Sequence, residues 1–423
     1  VPAREATVLG LGLVAAFVVG YWGQSHANYA QALALLPLGI AVLCKPQLPL
    51  VLGVAALPLS LDVSGGSVQF TVSDLLLTLA FAGAVPALLL VPEWRDRVRG
   101  AGPLLAITAP FAVWLVAVAV NHASLVDVLK TGQYYQLFLL PLLLGALVLD
   151  RRQARWALTG FVVMAVVVAA LWAFTGGDFA FAGNKNPAGQ YMANAIILVL
   201  ALAPSWLWRI AALIPLVIGL GFTQSRGAIL AAGVGVLVVL MLRGLGSWRR
   251  TVTAIVPLAV ALVVGFQFLP EEVVARNTDF SAGQAGTDLT AAQYSVKLRD
   301  TFREQGWQLV DEHPVFGVGP GNYRTGTPGQ ESYTTDPHNL AIRTAGDVGY
   351  PGLATFGLLA VGSALLAARR IRVNSYAAIA VAVQAGLLAH GFFDVYWVRG
   401  TPVLGWLLIG MALNRRLDEP SRG

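Results

Sequence analysis

Long apolar runs separated by short polar breaks fill most of the chain. The runs reach roughly 17–22 residues, enough for a helix to cross a hydrocarbon layer about 30 Å thick. Spans are predicted near 5–21, 29–44, 48–61, 72–91, 103–121, 133–149, 156–174, 187–203, 206–222, 227–243, 251–269, 340–368, 374–392 and 398–414. The third is short and open to a re-entrant reading. The pattern therefore predicts an all-α polytopic membrane protein with 12–14 transmembrane helices. One long break, roughly 270–339, interrupts the series, and loops of that length are functional or disordered. This one holds Tyr294, Trp307, Leu309, Val310, Phe316 and the turn-rich run GVGPGNY. It reads as a folded extracytoplasmic lobe, with an amphipathic helix near 291–312 followed by a glycine-rich turn. The chain thus divides into N-terminal helices (1–269), the lobe (270–339) and C-terminal helices (340–423).

Composition agrees with a membrane protein. The chain is 57% hydrophobic and 12% charged, where soluble domains carry about 25% charge, and its mean hydropathy is +0.68. The charged start VPAREATVLGLG runs directly into a first apolar run, which is read as a span rather than a cleavable leader. The single cysteine, Cys44, excludes an intramolecular disulfide and a cysteine-based metal site.

Charge then sets the orientation. With the N-terminus in the cytoplasm, Lys130, Lys185, Arg226, Arg276, Lys297, Arg299, Arg303, Arg324, Arg343 and Arg399 fall outside, and the other eighteen of the 28 basic residues fall inside. Both termini are then cytoplasmic. The net charge of +6 follows from this sorting and implies no nucleic-acid partner. All five histidines, His26, His122, His313, His338 and His390, fall on the outer side or at outer helix ends.

The outer basic residues are those the positive-inside rule does not explain. Arg226 sits in FTQSRGAIL at the outer start of a span, beside Gly227, which lets a ligand or backbone come close. A guanidinium there suits a phosphate, and a helix start adds N–H donors. Read alone, Arg226 fits an arginine snorkelling to lipid head groups at least as well. GNKNPAGQYM (183–192) opens another span, with Pro187 in its first turn, Asn184 or Asn186 as a cap and Lys185 as an anion attractor. Arg299, Arg303 and Trp307 recur at four-residue spacing and share one slowly drifting helix face. In TTDPHNLAIRTAGDVGYPG, His338 stands where the lobe meets a membrane helix, with a pKa suited to general-base work near pH 7. Asn339 caps the helix or orients a hydroxyl. Arg343 and Asp347 support the site, and Gly349 and Gly352 read as close-packing positions. His313 precedes Pro314 and reads as a turn residue, while nothing in the pattern assigns His390. No HExxH, P-loop, GxSxG or DxD-type cluster is present.

These stretches, in this order, resemble the O-antigen ligase / O-antigen polymerase superfamily of bacterial membrane glycosyltransferases. The matching elements are NKNP (184–187), SRG (225–227) and Arg303 four residues before Trp307. Then come His313, Pro314, Gly317, Gly319 and Tyr323 in an hPxxGxGxxxY turn, and His338-Asn339 followed by Asp347, Gly349 and Gly352. The resemblance covers about 180–370, and the N-terminal spans match in hydropathy alone. It implies an inverting, metal-independent enzyme of the bacterial inner membrane whose site faces the periplasm. Its partners are an undecaprenyl-diphosphate-linked glycan donor, a lipid or glycan acceptor such as a lipid A–core sugar, and membrane lipids, with no cofactor. His338 is then the expected base. Arg226 and Arg303 are the expected diphosphate ligands, with Arg299 and Lys185 behind them, and Asn339, Asn186, Arg343 and Asp347 support the site. A polymerase with the same donor is the first alternative. A transporter or flippase is the second, with Asp74, Gln384 and Asp394, all placed near span ends, as the polar residues available to it.

Overall fold

The computed structural model describes residues 45–59, 71–90, 96–98, 101–175, 185–203, 205–244, 256–262, 291–324, 336–394 and 400–418, with single residues 264 and 326. The spans expected near 5–21 and 29–44, and most of that near 251–269, lie outside these residues. The described residues are helical: α1 (Gln47–Ala56), α2 (Val72–Leu90), α3 (Gly102–His122), α4 (Leu125–Tyr134), a π-helical segment Tyr135–Leu139, α5 (Leu140–Leu147), α6 (Arg151–Phe174), α7 (Lys185–Leu202), α8 (Trp206–Thr223), α9 (Arg226–Gly244), α10 (Ala291–Glu312), α11 (Leu340–Ala368), α12 (Ser375–Gly391) and α13 (Val403–Leu413). The chain is an all-α polytopic membrane protein. Among the described residues, α3, α6, α8 and α11 are long and apolar enough to span a bilayer, and shorter apolar helices flank them.

Small residues let the helices approach closely. A Cβ on Gly410 would lie 2.1 Å from Leu142 O, and one on Gly145 would lie 2.3 Å from Leu407 O, so α5 and α13 pack backbone to backbone. Gly386 stands in the same way against Ala231 O, at 2.6 Å, bringing α12 onto α9. At one end of the bundle asparagines close the helix termini. Asn374 Oδ1 accepts from Tyr376 N–H while its Nδ2 donates to Met411 O, and Asn414 Nδ2 donates to Leu149 O.

The helix predicted near 291–312 is α10. Its Phe302, Gly306 and Val310 are buried, and the helix packs on α11. The glycine-rich turn then docks on a break in α11. Gly349 has φ 74 inside an otherwise continuous helix, and a Cβ there would lie 1.8 Å from Val315 O. In an unbroken helix the carbonyls of Gly346, Asp347 and Val348 would accept from residues 350, 351 and 352. Here Pro351 has no N–H, and Tyr350 N–H donates to Pro314 O at 2.8 Å instead. The turn and a tryptophan replace the lost donors. Val318 N–H donates to Gly346 O (2.8 Å), Gly319 N–H to Asp347 O (3.1 Å) and Trp114 Nε1–H to Val348 O (2.7 Å). Phe316 stacks flat on Trp114, ring centroids 5.3 Å apart. Gly349 is therefore the close-packing position expected, against the turn backbone, and also a break point in the helix. Gly352, against Trp114, is a packing position.

Candidate active site

The residues around His338 are fixed first by backbone geometry. His338 has φ 54, an unusual conformation for a residue with a Cβ. Asp336 supports it by accepting the His338 N–H at 2.7 Å. Asn339 then caps α11, its Oδ1 accepting from Ala341 and Ile342 N–H, while its Nδ2 donates to Phe392 O at the end of α12. Phe302 of α10 lies parallel to the imidazole, 6.2 Å between centroids.

The imidazole meets Asp394, three residues beyond the end of α12. His338 Nδ1 and Asp394 Oδ1 are 3.1 Å apart, and Asp394 is nearly buried. An ionised carboxylate makes Nδ1 the donor, which leaves the lone pair on Nε2. The other carboxylate oxygen pairs with Arg299 Nη2 at 3.3 Å, and Arg299 Nη1 donates to Phe393 O. Arg299 thus holds Asp394 rather than pointing its guanidinium only at a ligand. Arg303, one turn on, lines an open groove of about 560 Å³ with Trp307, Asn339, Ile342, Phe392 and Phe393. Its Nη1 also contacts Asp300 at 3.3 Å.

Arg343 and Asp347 form a cluster one to two turns into α11. Arg343 Nε donates to Asp347 Oδ2 at 2.8 Å and Nη1 to Asp336 Oδ2 at 3.2 Å, and Tyr134 OH donates to Asp347 at 2.6 Å. Asp336 therefore bridges the cluster to the His338 backbone. Burial pushes its carboxyl above the usual aspartate range, against the opposing pull of Arg343 and the His338 N–H. Tyr323, last in the turn motif, is buried over Gly306 and Gly346, which a Cβ on either would prevent, and Arg343 lies over its ring. Burial also raises the Tyr323 phenol.

Arg226 and Lys185 are exposed first residues of α9 and α7. Asn186 is buried within the first turn of α7, so it is not the residue preceding the helix as a cap would be. These two helix starts pack together: a Cβ on Gly189 would lie 3.2 Å from Ser225 Cβ and 2.8 Å from Ala228 Cβ. Both reach the end of α12. His390 Nδ1 is 2.6 Å from Gln190 Oε1, and its ring abuts Gly227. One helix end thus touches residues from several of these stretches: Gly227 and Gln190 at His390, Asn339 at Phe392, and His338 with Arg299 at Asp394. Asp394 and His390 lie outside the motif stretches and share no local spacing with them, so the sequence marked them without assigning either to the site. Gln384, placed near a span end from the sequence, is instead buried in the middle of α12. Among the described residues no three His, Cys, Asp or Glu side chains come together as metal ligands.

No curated protein matches the chain. Residues 210–357, which contain Arg226, Arg299, Arg303, His338, Arg343 and Asp347, match the family model described as O-antigen ligase. That match supports the resemblance to the O-antigen ligase superfamily carried by the motifs.

Proposed function

We propose that the protein transfers a glycan from undecaprenyl diphosphate to an acceptor hydroxyl, a lipid A–core sugar, at the periplasmic face of the inner membrane. The observation that carries this reading is the His338–Asp394–Arg299 chain beside the groove of Arg303 and aromatic rings. The acceptor O–H gives its proton to His338 Nε2 as the oxygen attacks the anomeric carbon. The bond from that carbon to the diphosphate oxygen breaks, and its electron pair leaves with the lipid diphosphate. Attack opposite the leaving group inverts the anomeric centre. Asp394 holds Nδ1–H and stabilises the imidazolium that forms. Arg226 and Arg303, with Lys185, meet the charge that develops on the diphosphate, a task that calls for no divalent ion. Trp307, Phe392 and Phe393 offer apolar faces to sugar rings. The 270–339 lobe and the two flanking sets of helices divide the labour: the lobe brings the base, Arg299 and Arg303, and the helices bring Lys185, Arg226 and Asp394 and hold the lipids.

Purified protein in nanodiscs, lipid-linked donor and lipid A–core acceptor test this directly. Transfer is expected to persist in EDTA and to fall about 10²–10⁴-fold in His338→Ala. Near wild-type turnover by His338→Ala removes the base assignment, and loss in EDTA removes the metal-free one. An undecaprenyl-linked repeat offered as acceptor separates ligase from polymerase.

A further inference from the structure

His390 is a fully buried histidine in the last turn of an apolar helix, and the mechanism above does not use it. Buried polar groups of this kind are costly unless they are held by hydrogen bonds. It is held tightly. Gln190 Nε2 donates to Asn194 Oδ1 at 2.8 Å, which turns Gln190 Oε1 toward His390 Nδ1 at 2.6 Å. Gln190 and Asn194 are themselves fully buried. This fixes both the tautomer, with the proton on Nδ1, and the plane of the ring.

The fixed ring rests on one place. A Cβ on Gly227 would lie 2.2 Å from His390 Cδ2 and 2.5 Å from Nε2, so the imidazole edge fills the space that any larger residue at 227 would need. Gly227 is the second residue of α9, directly after Arg226. The same helix start is also packed by α7 through Gly189 against Ser225 and Ala228. Four residues further along the chain from His390 is Asp394, the partner of His338 and Arg299, and its N–H donates to His390 O at 3.0 Å. One short piece of backbone thus carries both the contact that seats Arg226 and the carboxylate that seats His338.

We propose that His390 is a positioning residue for donor binding: locked by Gln190, it sets the place of the Arg226 helix start, through Gly227, relative to the His338–Asp394 pair. The proposal rests on the reading of Arg226 as a diphosphate ligand. Its physical basis is that binding and transfer depend steeply on placement, a shift of about 1 Å being able to cost 10²-fold. Loss of the ring lets the first turn of α9 settle into the vacated space, and a methyl at 227 pushes that turn away. Either change displaces Arg226 without touching it.

The experiment uses full-length protein in nanodiscs and two readouts: steady-state transfer, and calorimetric binding of undecaprenyl diphosphate without a glycan. His390→Ala and Gly227→Ala are each expected to raise the donor KM and the Kd for undecaprenyl diphosphate about tenfold, with the acceptor KM unchanged. In an Arg226→Ala background, His390→Ala is expected to add nothing. Additive losses in that background, an equal rise in both KM values, or unchanged donor binding overturns the proposal. If Arg226→Ala alone leaves undecaprenyl diphosphate binding intact, the assignment of Arg226 fails and the proposal with it, so the two failures are told apart. Should His390→Ala not fold, Gln190→Leu keeps the ring and removes its anchor, and the same outcomes decide.

Discussion

At Asp394 one carboxylate serves two partners, and its two oxygens are not equivalent. Oδ1 faces His338 Nδ1 and Oδ2 faces Arg299. Asp394→Asn keeps the shape and removes the charge, and its amide nitrogen can press Nδ1 into the acceptor role, putting the proton on the wrong imidazole nitrogen. The expected outcome is a fall in kcat of about 10²–10⁴-fold with little change in donor KM; an unchanged kcat would show that the carboxylate does not orient the base. His338 and Asn339 were legible in the sequence because they stand at the junction of a polar segment and an apolar run. Asp394 was visible only as a polar residue near a span end, 56 positions from its partner. No local pattern announces a pair made by the packing of separate helices. His390 was hidden for the same reason, and Gln384 was misplaced because apolarity marks a span without fixing which of its residues lie deepest.

At the scale of the element, α10 and α11 were legible almost to the residue. Helical spacing of Arg299, Arg303 and Trp307 marked α10, and an asparagine cap before a long apolar run marked the start of α11. The break inside α11 was not legible. Glycines three residues apart look like a packing seam, and only the arrival of the 313–324 turn distinguishes Gly349 from Gly352. Gly349→Ala must hold a methyl at φ 74 and within 1.8 Å of Val315 O. A residue forced into such a conformation costs about 1–3 kcal/mol. The expected result is a lower melting temperature together with faster protease cleavage in the turn, because the hydrogen bonds that the turn donates to Gly346 and Asp347 are lost. Gly352→Ala, which crowds Trp114 with ordinary backbone angles, should lower the melting temperature without exposing the turn. Equal cleavage of the two variants would remove the docking role of the break.

At the scale of the whole molecule, apolar run length conveyed the class of fold, and the alternation of lysine and arginine conveyed the expected orientation. Neither says which helix ends meet. That depends on small residues such as Gly227, Gly189 and Gly386, whose meaning appears only when a neighbouring helix is present.

The broken helix also changes how the molecule responds to its solvent. A straight helix of 29 residues would be about 43 Å long, well beyond a hydrocarbon layer of about 30 Å. Residues 350–368 alone span about 28 Å, a near match to that layer. The segment before Gly349 is hydrogen-bonded to the turn, which is expected to hold it apart from the stem. A change of bilayer thickness tilts a membrane helix, and here the tilt ends at the break. The break thus separates the His338 end of α11 from residues 350–368. Transfer measured in short- and long-chain phosphatidylcholine should differ by less than about twofold for the wild type, whereas a Gly349→Ala variant, its turn undocked from the segment before the break, should be thickness-sensitive.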